Sequence, residues 1–528
     1  DIQELLQNTT VISLHSIKIA TDGEKIAVIA TTAKEGTRAL FLYYIANKKL
    51  KFIENNIDQA EFLNSNQSLY FIQQVNLAPK NLLIFENDKS KIIYKASKQE
   101  ILALIYNKET DMVFLKVNNT ENNSLYIVKG LNLSLITRNF SNRIGQVVAT
   151  NSKEILLVED YQNLERICSY TLSNLKRNNC WKYVFLNESV EDFFKFKDDV
   201  FLITRLGSNY ELKSFTQSGD QKNVFNFGNL KIKKTYLDSD QHKELEFKIY
   251  RYLKPIESFN LNASTFKTPE PEKEIEEINC SLVSNYKVPA TFISNKKAKN
   301  SILLLEVYGA YGETLSPEYS PEYEFLSKNG VDIGVVHVRG SAYFGKKWHD
   351  AGRQENKVNS IKDLAICAKY FKAKNSAYKI IVSGKSAGGF IAAATAIKHP
   401  ELINALVLDA PFLNPLETLS DKSNELLWQD IYEWGNPNNQ KVKLAMNQIS
   451  PEVNASQAKI NHLLLFARID DRLVSIKSIL NWLNAIKNTQ KQDINLVLSS
   501  EGGHLGPASP EDLLRQKVLK IAFIMRQH

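Results

Sequence analysis

Residues Tyr378 to Pro400 read YKIIVSGKSAGGFIAAATAIKHP. An apolar run rich in β-branched residues leads into Gly384-Lys385-Ser386-Ala387-Gly388-Gly389, and an alanine-rich, helix-forming stretch follows. A G-x-S-x-G between a strand and a helix is the sequence of a nucleophile elbow: small flanking residues permit the sharp turn that lifts the serine hydroxyl above the sheet. The bare pattern arises by chance in about one chain in twenty of this size and glycine content, and the strand-to-helix setting removes most of those. The bland alternative is a glycine turn into a helix.

Outward from this stretch the same texture recurs. Apolar runs stand at SILLLEVYG (Ser301–Gly309), VDIGVVHVRG (Val331–Gly340), NALVLDA (Asn404–Ala410), HLLLFAR (His462–Arg468) and INLVLSS (Ile494–Ser500), with helical segments such as Ser360–Ala373 between them. Continuous apolar strands joined by helical crossovers predict a largely parallel sheet covered on both faces. A serine on such a sheet needs a base and an acid, which follow it in the order Ser, Asp, His. Of eight histidines only His504 and the terminal His528 lie beyond the last plausible acid. His504 sits in SSEGGHLG, where two glycines let a loop fold the imidazole back toward Ser386. Asp470 and Asp471 both follow the strand HLLLFAR, and Asp409 ends NALVLDA. Asp470 is the preferred acid, because its loop follows the next-to-last strand and the histidine follows the last.

The first half is different. Short β-type runs, among them Lys25–Thr32, Leu40–Ile45, Ser68–Gln74 and Asn81–Glu86, return in groups of about 40 residues beginning near Ile17, Gln59, Ile101, Ile144, Ser189 and Asn229. Six similar units in series favour a β-propeller over stacked sandwiches, with Asp1–Ser16 read as an outer piece of one further blade. The acidic, proline-containing TPEPEKEIEE, Thr268–Glu277, reads as an exposed crossing. The expected division is a propeller over residues 1–268 and an α/β domain over 269–528.

The 528 residues, 43% hydrophobic and 23% charged, describe an ordinary globular chain rather than a disordered or fibrous one. A net charge of +8 from scattered lysines gives no nucleic-acid footprint. No run approaches the roughly 18 apolar residues of a membrane span. Cys168, Cys180, Cys280 and Cys367 form no C-x-x-C pair, which indicates neither a zinc site nor a disulfide framework. The expectation is a chain without metal or cofactor in a reducing compartment, the cytoplasm, as a monomer or homodimer. Asp1 in place of methionine implies that processing or trimming has removed something.

VYGAYG (Val307–Gly312), VHVRG (Val336–Gly340), GKSAGG (Gly384–Gly389), EWGNP (Glu433–Pro437) and IDDRLV (Ile469–Val474) together resemble the prolyl oligopeptidase family of serine peptidases, and within it the oligopeptidase B branch. The likeness is dense over Ser301–Arg526 and only architectural before it. It implies a seven-bladed propeller capping an α/β-hydrolase domain, and short peptides as substrates. Carried over by position, it places the nucleophile on Ser386, the acid on Asp470, the base on His504, and the oxyanion donors on the Tyr308 hydroxyl and the Ala387 backbone N–H. Counting back from Trp434-Gly435, Asp430 falls where proline-specific members keep a tryptophan; an acid there implies cleavage after Arg or Lys. Each acidic pair of the branch is half kept: Tyr432 replaces one acid, and Ser316 and Glu318 stand where an Asp pair is usual. Arg472 resembles the prolyl enzymes, in which that arginine contacts the substrate backbone. Tyr343 stands where an acid is usual, and Trp428 lies two residues from Asp430. The alternatives are a prolyl-type peptidase using Trp428, an esterase or acylaminoacyl peptidase, and a propeller scaffold with an inactive hydrolase domain.

Overall fold

The structure, a computed structural model, describes residues 11–20, 23–32, 37–63, 68–74, 79–97, 100–118, 123–141, 146–161, 164–185, 188–235, 245–261, 269–270, 272–281, 287–295, 301–420, 427–471, 473–487, 493–504, 506–507 and 509–527. Before residue 262 these form six antiparallel sheets, spanning Val11–Asn55, Ile57–Lys95, Ile101–Thr137, Val147–Phe185, Ser189–Gly228 and Lys231–Leu261. The first five have four strands and the last three, each strand paired with its chain neighbours. They begin within a few residues of the marks read from the sequence. One expectation fails: Val11–Ile19 pairs with Lys25–Thr32, so Val11–Ser16 belongs to the first sheet rather than to a further blade. Residues 1–10 lie outside the described residues.

Period-two alternation explains why these sheets stack as propeller blades. Phe71 joins Leu40, Leu42 and Phe62 in one cluster. Its neighbours Tyr70 and Ile72 point the other way and join Leu102, Leu104, Val113 and Leu115 of the next sheet. In that sheet Phe114, between Val113 and Leu115, packs onward against Ile155 and Leu157. Both faces of a blade are thus buried, so its strands read as continuous apolar runs.

The second fold is one eight-stranded sheet. Its strands are β1 (Ile275–Cys280), β2 (Val288–Ile293), β3 (Ile302–Val307), β4 (Val331–Val336), β5 (Lys379–Lys385), β6 (Ala405–Asp409), β7 (His462–Arg468) and β8 (Asp493–Ser499), in the order 1-2-4-3-5-6-7-8. β1 and the β2–β4 contact are antiparallel and the remaining pairs parallel. The helices that matter below are α1 (Pro321–Lys328), α2 (Val358–Lys374), α3 (Ala387–Lys398), α4 (Leu427–Trp434), α5 (Ile476–Lys487) and α6 (Pro510–Met525). This is the α/β-hydrolase fold. No helix among the described residues is long and apolar enough to cross a membrane.

Two compact units are present, and they do not divide at residue 268. One holds Asp1–Phe185, Phe193–Phe201 and Ser214–Lys222; the other holds Leu186–Asp192, Leu202–Lys213 and Asn223–His528. The texture changes near 268, but burial does not follow texture. Tyr252 is buried in the cluster of Ile293, Leu326 and Ile333, and its carbonyl accepts a hydrogen bond from the Ser320 N–H at 3.1 Å. The acidic stretch around 268–277 is likewise not a bare crossing: Glu272 is buried, accepting from the Tyr252 and Leu253 N–H groups at 3.0 Å each, and Ile275 opens β1.

All four cysteines are paired, against expectation. Cys168 and Cys180 are register partners on adjacent antiparallel strands and form one disulfide; Cys280 at the end of β1 and Cys367 on α2 form the other. Spacing in the sequence is blind to both, because one depends on strand register and the other on packing between elements 87 residues apart.

Candidate active site

β5 ends at Lys385 and α3 begins at Ala387, which leaves Ser386 to make the turn alone, at φ 52° and ψ −119°. A non-glycine residue in that region is strained and persists only where its surroundings over-determine it. They do so here. The Ser386 N–H donates to the Asp409 carbonyl at 2.9 Å, and its own carbonyl accepts from the Phe412 and Phe390 N–H groups at 3.0 and 3.2 Å. A side chain at Gly388 would put its Cβ 2.2 Å from the Val307 carbonyl oxygen and 3.0 Å from the Tyr308 Cα, so only glycine lets α3 start flush against the end of β3.

The Ser386 hydroxyl lies 3.0 Å from His504 Nε2, and His504 Nδ1 lies 2.9 Å from an Asp471 carboxylate oxygen. The carboxylate can only accept, so Nδ1 carries the hydrogen and Nε2 is left to accept the serine proton. Here the sequence expectation is corrected by one residue: Asp471, not Asp470, meets the imidazole. The turn after β7 gives the reason. The other Asp471 oxygen accepts from the Leu473 and Val474 N–H groups at 2.9 Å each, which fixes it at the mouth of α5. Asp470, exposed one position earlier, accepts from the Gly502 and Gly503 N–H groups at 3.0 and 2.9 Å and shapes the histidine loop instead. Burial alone would raise the Asp471 pKa, but the bonds from His504, Val474 and Leu473 outweigh it and hold the group below the usual carboxylate range. Asp409 is occupied elsewhere: Arg468 holds one of its oxygens at 2.8 Å and Gln516 the other at 3.1 Å.

Tyr308 follows β3 directly, beside the start of α3. Burial, with Glu313, Glu433 and Asp430 nearby, pushes its hydroxyl up to about 12, so it keeps its proton and remains a donor. Ala387, the first residue of α3, is buried, and its backbone N–H is among the first of that helix, which lack a partner four residues back.

Asp430 lies on α4 with its residue only 7% exposed. It accepts a 2.6 Å hydrogen bond from the Tyr311 hydroxyl, which in turn accepts from Trp434 Nε1 at 2.9 Å. Burial pushes Asp430 up to about 6; Glu433 adds to that, while the Tyr311 bond and His504 oppose it. Lys357, His349 and Arg353 anchor α4 from other segments, and none of the three was singled out in the sequence. Glu433 is fully buried, paired with Lys357 and with His349 Nε2 at 2.7 Å, and Lys357 also donates to the Gly309 carbonyl at 3.1 Å. Arg353 lies over the Tyr432 ring, 4.2 Å from its centre, so the residue replacing the branch's second acid faces a cation of the protein's own. Glu318 is exposed, and among the described residues no hydrogen bond or ion pair joins it to Asp430 or the triad. Ser316 accepts from Lys231 at 2.6 Å. Tyr343, where an acid is usual, donates to Glu277 at 2.9 Å and lies under Arg205, which bonds the Ala342 and Tyr343 carbonyls. Arg472 and the Trp428 side chain lie outside the described residues. The one cluster of candidate metal ligands among the described residues, Glu159 with Cys168 and Cys180, has its two sulfurs bonded to each other.

Residues 317–527, which contain Ser386, Asp471 and His504, match the profile of the prolyl oligopeptidase family. The prolyl endopeptidase-like protein of Homo sapiens is 33% identical over 188 residues, 35% of this chain and 26% of that protein. Protease 2 of Moraxella lacunata is 28% identical over 249 residues, 46% of this chain and 36% of that protein. The matches thus span well under half the length of these curated relatives. Among solved structures, oligopeptidase B from Leishmania major superposes with a TM-score of 0.84 over 100% of this chain and 80% of that one, at 15% identity, a likeness of fold. The profile match, the elbow and the shared fold lead to one conclusion: residues 317–527 are similar to the prolyl oligopeptidase family, and the fold they share with oligopeptidase B extends over the rest of the chain.

Proposed function

We propose that the protein is a serine peptidase that hydrolyses short peptides, with Ser386 as nucleophile, His504 as general base and acid, and Asp471 holding the imidazole in its tautomer. The unbroken line from Ser386 through His504 to Asp471 carries this reading. His504 takes the hydroxyl proton as Ser386 attacks the scissile carbonyl, then delivers it to the leaving amine; water repeats the sequence to release the acyl group. The Tyr308 hydroxyl and Ala387 N–H are the donors for the oxyanion. The buried Asp430 carboxylate selects Arg or Lys before the cleaved bond through a charge-assisted hydrogen bond. Arg472 and Glu318 complete the proposed substrate contacts.

A fluorophosphonate probe should label the protein on Ser386, and Ser386→Ala should abolish both labelling and turnover. Cleavage of a mixed peptide library should then map to Arg and Lys. Labelling that survives Ser386→Ala would remove the mechanism, and cuts after proline would replace the specificity.

A further inference from the structure

Trp434, Tyr311 and Asp430 form a relay whose direction is fixed by chemistry. The indole Nε1–H can only donate, so at 2.9 Å it must give its hydrogen to the Tyr311 oxygen. The tyrosine has one hydrogen, and Asp430 Oδ1, 2.6 Å away, receives it. The whole line therefore ends on an acceptor, and it favours Asp430 as an ionised carboxylate over a neutral acid. Trp434 itself cannot turn away: it is fully buried, with Phe390 of α3 and Phe412 packed edge-on against its ring at 5.0 and 5.1 Å. Tyr311 holds a left-handed backbone, φ 56°, which sets its side chain between the other two at a conformational cost.

We infer that Tyr311 is a positioning residue for substrate selection: by donating to Asp430 Oδ1 under the constraint of Trp434, it keeps the carboxylate charged and leaves its second oxygen for a guanidinium or ammonium group of the substrate. This rests on the proposal that Asp430 selects a cation. The groups that act on Asp430 from the elements around it are Tyr311 and Tyr308 from the segment after β3, Glu433 from its own helix and His504 from the loop after β8. Glu433 is paired locally with Lys357 and hydrogen-bonded to His349. Tyr311 is thus the neighbour that supports the charge by direct contact, against burial that pushes the group up to about 6.

The test is the ratio of kcat/KM for a peptide with Arg before the cleaved bond to that for the same peptide with norleucine, followed from pH 5 to 9; the ratio cancels the common titration of the catalytic groups. In the wild type it should fall as pH drops through about 6. Tyr311→Phe should move that fall upward by about one to two pH units, since a lost hydrogen bond to a charged group is of that size. Fluorophosphonate labelling of the variant checks that the triad is intact. If Tyr311→Phe does not fold, Trp434→Phe, which frees the tyrosine hydroxyl to reorient, should move the fall the same way by less. A wild type that prefers Arg, an Asp430→Asn variant that does not, and an unmoved pH profile in the Tyr311 or Trp434 variant would overturn this inference alone. No Arg preference in the wild type, or a preference that survives Asp430→Asn, would overturn the proposal beneath it.

Discussion

Two adjacent aspartates divide one task. Asp471 orients the imidazole and Asp470 shapes the loop that carries it. Asp471→Asn should therefore reduce kcat about ten-thousand-fold by favouring the wrong tautomer, the size of loss that the same exchange causes in other Ser-His-Asp triads. Asp470→Asn should cost about three- to thirty-fold, because an amide oxygen can still accept one of the two glycine N–H bonds. Equal losses in steady-state kinetics would refute this division. The sequence offered this pair and Asp409 and preferred Asp470, since a turn's phase after a strand depends on where the strand stops and no residue type records it. Asp430 supplies a second prediction. Its folded pKa, about 6, lies above the 3.8 of an unperturbed aspartate, so its contribution to stability is full below about 4 and is lost as pH rises through 6. Asp430→Asn should accordingly stabilise the protein at pH 8, by about 1–2 kcal/mol in urea unfolding, and not at pH 4.

At the scale of elements, the apolar runs announced β3 to β8 within a few residues, because a strand buried on both faces needs an uninterrupted apolar sequence. β1 and β2 were not announced. They pair antiparallel at the edge of the sheet, and β1 sets two adjacent exposed acids between half-buried isoleucines in a stretch whose charge reads as a linker. α4 shows the opposite gap: its residues stood out for chemistry, yet what fixes the helix comes from far along the chain. Lys357 meets Glu433 where both side chains are wholly buried. Removing one partner of such a pair leaves an uncompensated charge, so Lys357→Met should cost about 3–5 kcal/mol in chemical denaturation. Adding Glu433→Gln should recover part of the loss. A single variant as stable as the wild type would show that the pair is not ionised.

For the molecule as a whole, the repeat count and the change from β to α/β texture were readable because both are periodic properties of the chain. The cysteine pairing and the extent of the compact units were not, since they depend on contacts between distant segments. The Cys280–Cys367 bond closes a separation of 87 residues between β1 and α2. Replacing both cysteines by serine should lower stability by about 2–4 kcal/mol, measured as a fall in the urea midpoint of the α/β unit. α6 has a different reach. Gln516 bonds both Asp409 and Arg468, and the Asp409 carbonyl holds the Ser386 amide. One turn on, Lys520 neutralises Glu306 of β3 and Glu322 of α1. Trimming the chain from its far end is therefore not a neutral way to shorten it. A cut before Gln516 would loosen the elbow from behind and leave Glu306 on β3 and Glu322 on α1 without their cation, so a clipped preparation would lose turnover while Ser386, Asp471 and His504 were all still present.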